Sequence, residues 1–275
     1  MTVEIDKNWA ACIVYYQDQV ALNNLLKSLV DQTLPPASVF IADNNSVDLI
    51  KLTNLPFPVK VIRLNENKGF AGGANASLIS AIENNFFNLM LLSQDVLLER
   101  KSAEKLISQL NISGGIVFPT MMNRNTNQVF SKGGKVAKFW GSIKLLTKSD
   151  SKDLDWADGS CLVFNSDVYK KVKGLCEQYF MYFEDVDFCY KAKHEGFRLT
   201  HVETIASQTP KGPNALLRSR NSVLFARRSG NALLKFSVTK RNILASIILF
   251  TRLKFKESAN RFLGIWQGWK LEIDK

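Results

Sequence analysis

The sequence is poor in the residues that build metal centres and cross-links. It has two histidines and four cysteines in 275 residues. Cys12, Cys161, Cys176 and Cys189 stand far apart, with no CxxC pair and no zinc spacing. A His-rich metal site is excluded, and the thiols read as reduced cysteines of a cytosolic protein. Long apolar runs are also missing. The most apolar stretch, Ile243 to Phe250, falls well short of the roughly 20 residues of a spanning helix. The polar start, Met1 to Ala10, lacks the apolar core of a signal peptide. The expectation is therefore a cytoplasmic chain with no transmembrane span. Acid is absent from one whole segment: no Asp or Glu lies between Glu203 and Glu257, while 11 Lys and Arg do, matching the formal net charge of +11. A one-sided basic segment attracts phosphates, whether of nucleic acid, anionic lipid or pyrophosphate-linked substrates. No RNP, zinc or basic-zipper pattern accompanies it, so the reading is no nucleic acid.

What is present describes an ordinary globular chain, 46% hydrophobic and 22% charged. Apolar runs alternate with helical patterns. Ala11 to Tyr16, Ser38 to Ala42, Val59 to Leu64 and Asn88 to Leu92 read as strands, with Gly115 to Phe118 and Ser160 to Phe164 as further candidates. Val20 to Val30 carries Leu22, Leu25, Leu26 and Leu29 at helical spacing, and Ala71 to Asn85 and Arg100 to Leu110 also read as helices. Such alternation predicts a mostly parallel central sheet covered on both faces, with ligands at the carboxyl ends of its strands. Met121 to Lys152 reads as a hairpin or loop excursion. Past Lys211 the strand signal ends and two or three basic helices follow. The division is a catalytic domain over residues 1–208 and a basic helical extension over 209–275.

Five motifs could carry chemistry, and each has a plain structural alternative. Asp43-Asn44-Asn45-Ser46-Val47-Asp48 places a carboxylate at a strand end, where it can accept from a base or ribose; the same residues also make ordinary turns. Asn67 to Asn75, with Gly69, Gly72 and Gly73, lets backbone approach a phosphate at a helix start, or simply packs a helix entry. Ser93-Gln94-Asp95 ends a strand on a carboxylate suited to Mg²⁺ or Mn²⁺, or to a helix N-cap. Asp155-Trp156-Ala157-Asp158-Gly159 pairs an aromatic with acids, as sugar sites do, although a core tryptophan is the commoner outcome. Tyr179 to Cys189 sets Glu184, Asp185 and Asp187 beside five aromatics. That is a setting for a general base or for an acidic first helical turn.

In this order the motifs resemble glycosyltransferase family 2, in particular its bacterial rhamnosyltransferase-like branch that builds O-antigen and capsule glycans. The resemblance covers roughly Ala11 to Gln208. It implies a GT-A fold and an inverting, single-displacement transfer from a dTDP- or UDP-sugar, rhamnose being the suggested sugar, to a glycan or lipid-linked glycan. By position, Asp185 would be the base with Glu184 in support. Asp43 would contact the nucleotide base, and Tyr15, Asn67, Gly72, Gly73, Asn75 and Gln94 would join it around the nucleotide sugar. Trp156, Asp158 and Gly159 would sit near the sugars, and Asp95 would hold a divalent cation, Mg²⁺ or Mn²⁺. Arg220-Asn221 resembles an Arg-Asn pair of this branch. Three positions depart from the pattern: Gln17 follows Tyr16 where the branch has Asn, Ser93 replaces the first acid of the metal motif, and the late metal-binding histidine falls near Gln208, with His201 several residues early. The intact Glu184-Asp185 favours an active enzyme. The thinned metal motif favours a non-catalytic glycan- or nucleotide-binding relative, or an enzyme in which the metal is held weakly or cations such as Lys211 and Arg218 replace part of its charge. The basic tail, with Leu233, Leu234, Ile243, Leu244, Ile247, Ile248 and Phe250, would hold the chain on the anionic inner face of the cytoplasmic membrane, or pack on the domain or a second subunit.

Overall fold

The computed structural model describes residues 8–148, 153–209, 212 and 214–273. Its first strand, β1 (Trp9–Tyr15), is buried at all seven positions. Successive side chains of a strand point to opposite faces. Ala10, Cys12 and Val14 accordingly enter one apolar cluster, and Trp9, Ala11, Ile13 and Tyr15 another. A strand covered on both sides needs a continuous apolar run, which is what the sequence supplies. Helix α1 (Gln19–Val30) follows after Asp18, whose carboxylate accepts from Ala21 N at 3.0 Å as an N-cap. The leucines at 22, 25, 26 and 29 form its buried stripe, each contributing roughly 1.5–3 kcal/mol.

The chain continues through β2 (Ser38–Asp43), β3 (Val59–Arg63), α2 (Gly69–Glu83), β4 (Asn88–Ser93), the two-residue β5 (Leu97–Leu98) and α3 (Ser102–Ser113). Next come β6 (Ile116–Asn123), β7 (Gln128–Ser131), β8 (Gly134–Ala137), β9 (Ser142–Leu145), β10 (Cys161–Asn165) and α4 (Ser166–Val172). A 3-10 turn at Glu177–Tyr179 precedes α5 (Glu184–His194), β11 (Leu199–Gln208), α6 (Ala215–Ser229), α7 (Ala232–Thr251) and α8 (Phe255–Lys270). The main sheet runs β3-β2-β1-β4-β10-β6-β11-β5, with β7 beside β6. Its first four strands are parallel. β10 is antiparallel to both neighbours, and β11 returns to parallel pairing with β6. The sheet is thus mixed beyond β4. α1 and α3 pack on one face, and α2, α4, α5 and the C-terminal helices on the other.

Three features differ from the sequence reading. The ten-residue β11 has no counterpart in it, because its polar residues, partial burial and a register break between Val202 and Ile205 erase the alternation. Met121–Asn123 belong to β6, so the excursion reduces to β7 and the separate β8–β9 hairpin, with residues 149–152 outside the described ones. The expected boundary at residue 208 separates composition but not packing. Leu224 and Phe225 of α6, Val238 of α7 and Ile265 of α8 belong to the same apolar cluster as Cys12 and Leu91.

Gly69 at the start of α2 has φ +70°, and a Cβ there would run into the Phe180 carbonyl that Phe70 N donates to at 2.6 Å. Gly69→Ala should therefore cost roughly 2–5 kcal/mol by urea unfolding. Gly196→Ala, at φ +91° with open space around it, should cost only the conformational part, about 1–2 kcal/mol.

Candidate functional site

The loop before α5 holds an unlikely conformation. Phe180, Tyr182 and Phe183 have φ of +63°, +71° and +75°, which bulky side chains resist at about 1–3 kcal/mol each. The fold holds it there from two sides. Asn221, fully buried on α6, points its amide nitrogen at the carbonyls of Tyr179, Met181 and Tyr182, at 2.9, 2.8 and 2.8 Å. Arg220 Nη2 donates to the Gln178 carbonyl. On α2, Asn75 accepts from Leu175 N and Tyr169 Oη and donates to Leu175 O and Glu177 Oε1, at 2.8–3.2 Å. The loop thereby delivers Glu184 and Asp185 to the first turn of α5.

Asp185 meets the Asp155–Ser160 loop. Its Oδ2 accepts from Gly159 N at 2.9 Å and its Oδ1 from Val186 N at 2.8 Å. A Cβ on Gly159 would lie 2.8 Å from Asp185 Cβ, so this approach needs glycine. Two N–H donors and a helix N-terminus favour the anion. Burial and the neighbouring Asp158 outweigh them and push the Asp185 carboxyl up to about 7. Glu184 is 5% exposed, its Oε2 has no hydrogen-bond partner, and burial, then Asp185, raise it well above the carboxylate range. Burial likewise raises Asp158, against the Ser160 contacts that lower it, with Asp95 adding to the rise. Antiparallel pairing of β10 with β4 brings these acids together: Cys161 sits opposite Leu92, and Ser93 N donates to Ser160 O at 3.0 Å.

Beside them, the carboxyl ends of β1, β2 and β4 gather Tyr15, Asp43 and Gln94. Tyr15 lies opposite Asp43 in register, and burial, then Asp43, raise its phenol. The buried Asp43 carboxylate accepts from Arg63 Nη1 at 3.0 Å and Ser46 N at 2.9 Å, so it organises the turn that its sequence also suggested. Gln94 pairs with the Tyr16 backbone, accepting at 2.6 Å and donating at 3.0 Å. Asn67, exposed, accepts from Gly69 N. Gly72 and Gly73 are buried in α2, and a Cβ on Gly73 would meet Val14 and Asn44 at 2.7–2.8 Å. These glycines serve close packing, and Asn75, with its amide fully engaged, positions the 175–177 loop. None of the three faces an open ligand site. Trp156 is also placed differently from the expectation: it is 6% exposed and packs against Gly134, so the core outcome holds and its face is not open to a sugar.

Asp95 stands among hydrogen-bond donors. Its Oδ1 accepts from Gln208 Nε2 at 2.9 Å and from the Ser93 hydroxyl at 3.1 Å. A carboxylate only accepts, so the Gln208 amide must turn its N–H toward it. Arg124 Nη2 donates to the carbonyls of Asp95 at 2.6 Å and Ser207 at 3.1 Å. Hard divalent cations need oxygen ligands. One carboxylate, its Oδ1 already accepting from an amide N–H and a hydroxyl, is a thin set for that requirement, and among the described residues no three His, Cys, Asp or Glu are grouped to hold a metal. His201 faces Thr120 at 2.8 Å instead. Arg218 neighbours Arg241 electrostatically in the helical bundle, and Lys211 lies outside the described residues. Sequence reasoning missed Arg124, which sits in a polar turn without pattern. Spacing marks Gln208 only as the place of the family's late histidine; its contact with Asp95 emerges from the fold.

The sheet topology, parallel through β4 and mixed beyond it, is that of a GT-A fold. The chain belongs to glycosyl transferase family 2, whose model matches residues 10–173. It is 24% identical over 187 residues, 66% of this chain and 61% of the relative, to the low-salt glycan biosynthesis hexosyltransferase Agl10 of Haloferax volcanii. The chain thus spans about three-fifths of the length of that curated relative. Among solved structures it is similar to the mannosyltransferase PcManGT of Pyrobaculum calidifontis in complex with GDP-Man and Mn²⁺. That match has a TM-score of 0.57 and 12% identity, and covers 96% of this chain and 87% of that one. It is also similar to S. aureus TarS in complex with UDP, with a TM-score of 0.53, 13% identity and coverage of 84% and 68%. At these identities the likeness carries the fold alone.

Asn221→Ala should strip the 179–182 carbonyls of their donor, lowering stability by roughly 2–3 kcal/mol in denaturant unfolding. Turnover should fall further than donor affinity, because the loop that misplaces Asp185 lies away from the Tyr15–Asp43 end.

Proposed function

We propose that the chain is an inverting glycosyltransferase that moves a sugar from a dTDP- or UDP-sugar to a growing surface glycan of the O-antigen or capsule type, with rhamnose the first candidate. The observation that carries this reading is Asp185, raised to about 7 and held by Gly159 N at the strand ends. A base serves best when its pKa lies near the working pH. Asp185 takes the proton of the acceptor hydroxyl as that oxygen attacks the anomeric carbon. The bond from that carbon to the diphosphate oxygen breaks on the opposite face, and the nucleoside diphosphate leaves with the electron pair. Burial, then Asp185, hold the Glu184 carboxyl well above its usual range, so we assign the base to Asp185, whose rise Asp158 increases. Tyr15, Asp43, Asn67 and Gln94 would border the nucleotide; GDP-Man and UDP in the related structures support a nucleotide-sugar donor. Asp158 and Gly159 would face the sugars. Mn²⁺ in the PcManGT complex supports a cation in the family, and no step here depends on one.

The C-terminal helices support a membrane-carried acceptor. α7 buries Leu234 and Val238 together with Ser237, Asn242 and Ser246, while Phe236, Ile247, Ile248 and Phe250 are exposed. That exposed apolar side fits a partner outside the chain. Exposed Arg252, Lys254 and Lys256 adjoin this face, which fits a surface of anionic headgroups. Among the described residues no helix is long and apolar enough to cross a membrane. The chain would therefore lie on the bilayer.

Four outcomes check this. In titrations of dTDP-rhamnose, UDP-glucose, UDP-GlcNAc, UDP-galactose and GDP-mannose, one donor should bind, and Asp185→Asn should retain that binding while losing turnover by about 10²–10⁴-fold; binding of none would sink the reading. The wild-type kcat/KM should rise with pH through a midpoint near 7. Because the folded Asp185 holds its proton above its unfolded value of about 4, folding stability should fall as pH rises between those limits, with a shallower fall in Asp185→Asn. Flotation should place the full chain on vesicles containing anionic lipid but not on neutral ones, and the Ile247→Ser, Ile248→Ser, Phe250→Ser variant should stay in solution.

A further inference from the structure

The set around Asp95 mismatches a metal but suits an anion. We propose that Arg124 supplies the fixed positive charge opposite the leaving diphosphate in this chain, so that nucleotide binding and transfer need no divalent cation. The proposal rests on the glycosyl-transfer reading above.

Three strands converge on this arginine. It begins the turn after β6, where its N donates to Gln208 O at 2.8 Å, tying the turn to the end of β11. Asn123 Oδ1 accepts from Asn125 N at 2.9 Å and closes the turn. The guanidinium then reaches back to the carbonyls of Ser207 and Asp95, linking β11 to the loop after β4. Both of these bonds use Nη2, and Nε and Nη1 have no partner among the described residues. The side chain is thus anchored at one nitrogen and exposed, with N–H donors in hand. Guanidinium stays charged at any working pH and matches phosphate oxygens with a planar fork of donors. Gln208 and Ser93 complete the arrangement. They satisfy Asp95 Oδ1 with neutral donors, so the carboxylate orders the loop without a bound cation. A carboxylate in place of Ser93 would add a third acid beside Asp95 and Asp158. With serine there, the charge facing the guanidinium is one unit smaller.

The test is binding of UDP, dTDP and GDP to the full chain by titration calorimetry, in EDTA and in Mn²⁺, with Mn²⁺ alone titrated in parallel. It uses the wild type, Arg124→Ala, Arg124→Gln and Arg124→Lys, with thermal unfolding as a check on folding. The expected result is a nucleoside diphosphate that binds equally in EDTA and in Mn²⁺. Its affinity should fall roughly 10- to 100-fold in Arg124→Ala and Arg124→Gln and recover partly in Arg124→Lys. Affinity for the parent nucleoside, which lacks phosphate, should be unchanged in all four proteins; a merely structural arginine would move both ligands together. Diphosphate binding that vanishes in EDTA, returns with Mn²⁺ and is indifferent to Arg124 would overturn the proposal and leave the glycosyltransferase reading standing. If no nucleoside diphosphate binds the wild type with or without Mn²⁺, both fall.

Discussion

The amide of Asn221 spans three carbonyls of a loop that would not otherwise keep its shape. Aromatic residues at positive φ cost about 1–3 kcal/mol each, and Phe180, Tyr182 and Phe183 lie in sequence just ahead of Glu184 and Asp185. Such a loop persists only if its surroundings over-determine it. Asn221 holds it from α6, Asn75 from the opposite side on α2, and the Phe180 carbonyl locks against Phe70 N where only glycine fits at 69. The position of Glu184 and Asp185 is therefore a property of three distant segments at once. It also explains why the basic extension cannot be a detachable appendage: its first helix carries the residue that shapes the acid loop.

Electrostatics follow from that placement. At the start of α5 the helix dipole and two N–H donors favour an ionised Asp185, yet desolvation and Asp158 prevail. The outcome is a carboxyl pushed up to about 7, a perturbation of the kind that clusters at functional sites. A few residues away, Asp95 has the opposite surroundings, with an arginine and two neutral donors close by. The strand ends thus grade from acids held above their usual range near Gly159 to an exposed guanidinium at Arg124.

Topology makes the gradient possible. The parallel half of the sheet ends its strands on Tyr15, Asp43 and Ser93, as a doubly covered sheet does. Inserting β10 antiparallel between β4 and β6 lets its entry loop, with Asp158 and Gly159, reach the same edge. Parallel return of β11 along β6 then sets Gln208 beside the loop after β4.

The amino-acid sequence alone determined the elements whose pattern is local: the buried run of β1, the leucine stripe of α1, and the order of acidic and glycine motifs that marks the family. It also singled out Asp185 and Asp158 as acids beside turns, and the fold brings the two together. Only the tertiary structure decided what depends on partners far along the chain. Gly72, Gly73, Asn75 and Trp156 went to packing and loop support, because their neighbours (Val14, Leu175, Gly134) are remote in sequence. β11 and Arg124 had no periodic signature, since a half-polar strand and a turn residue gain meaning only from the strands they join. A motif names the chemistry that a residue can perform. Whether the residue is free to perform it is settled by hydrogen bonds and burial that close over long distances in the chain.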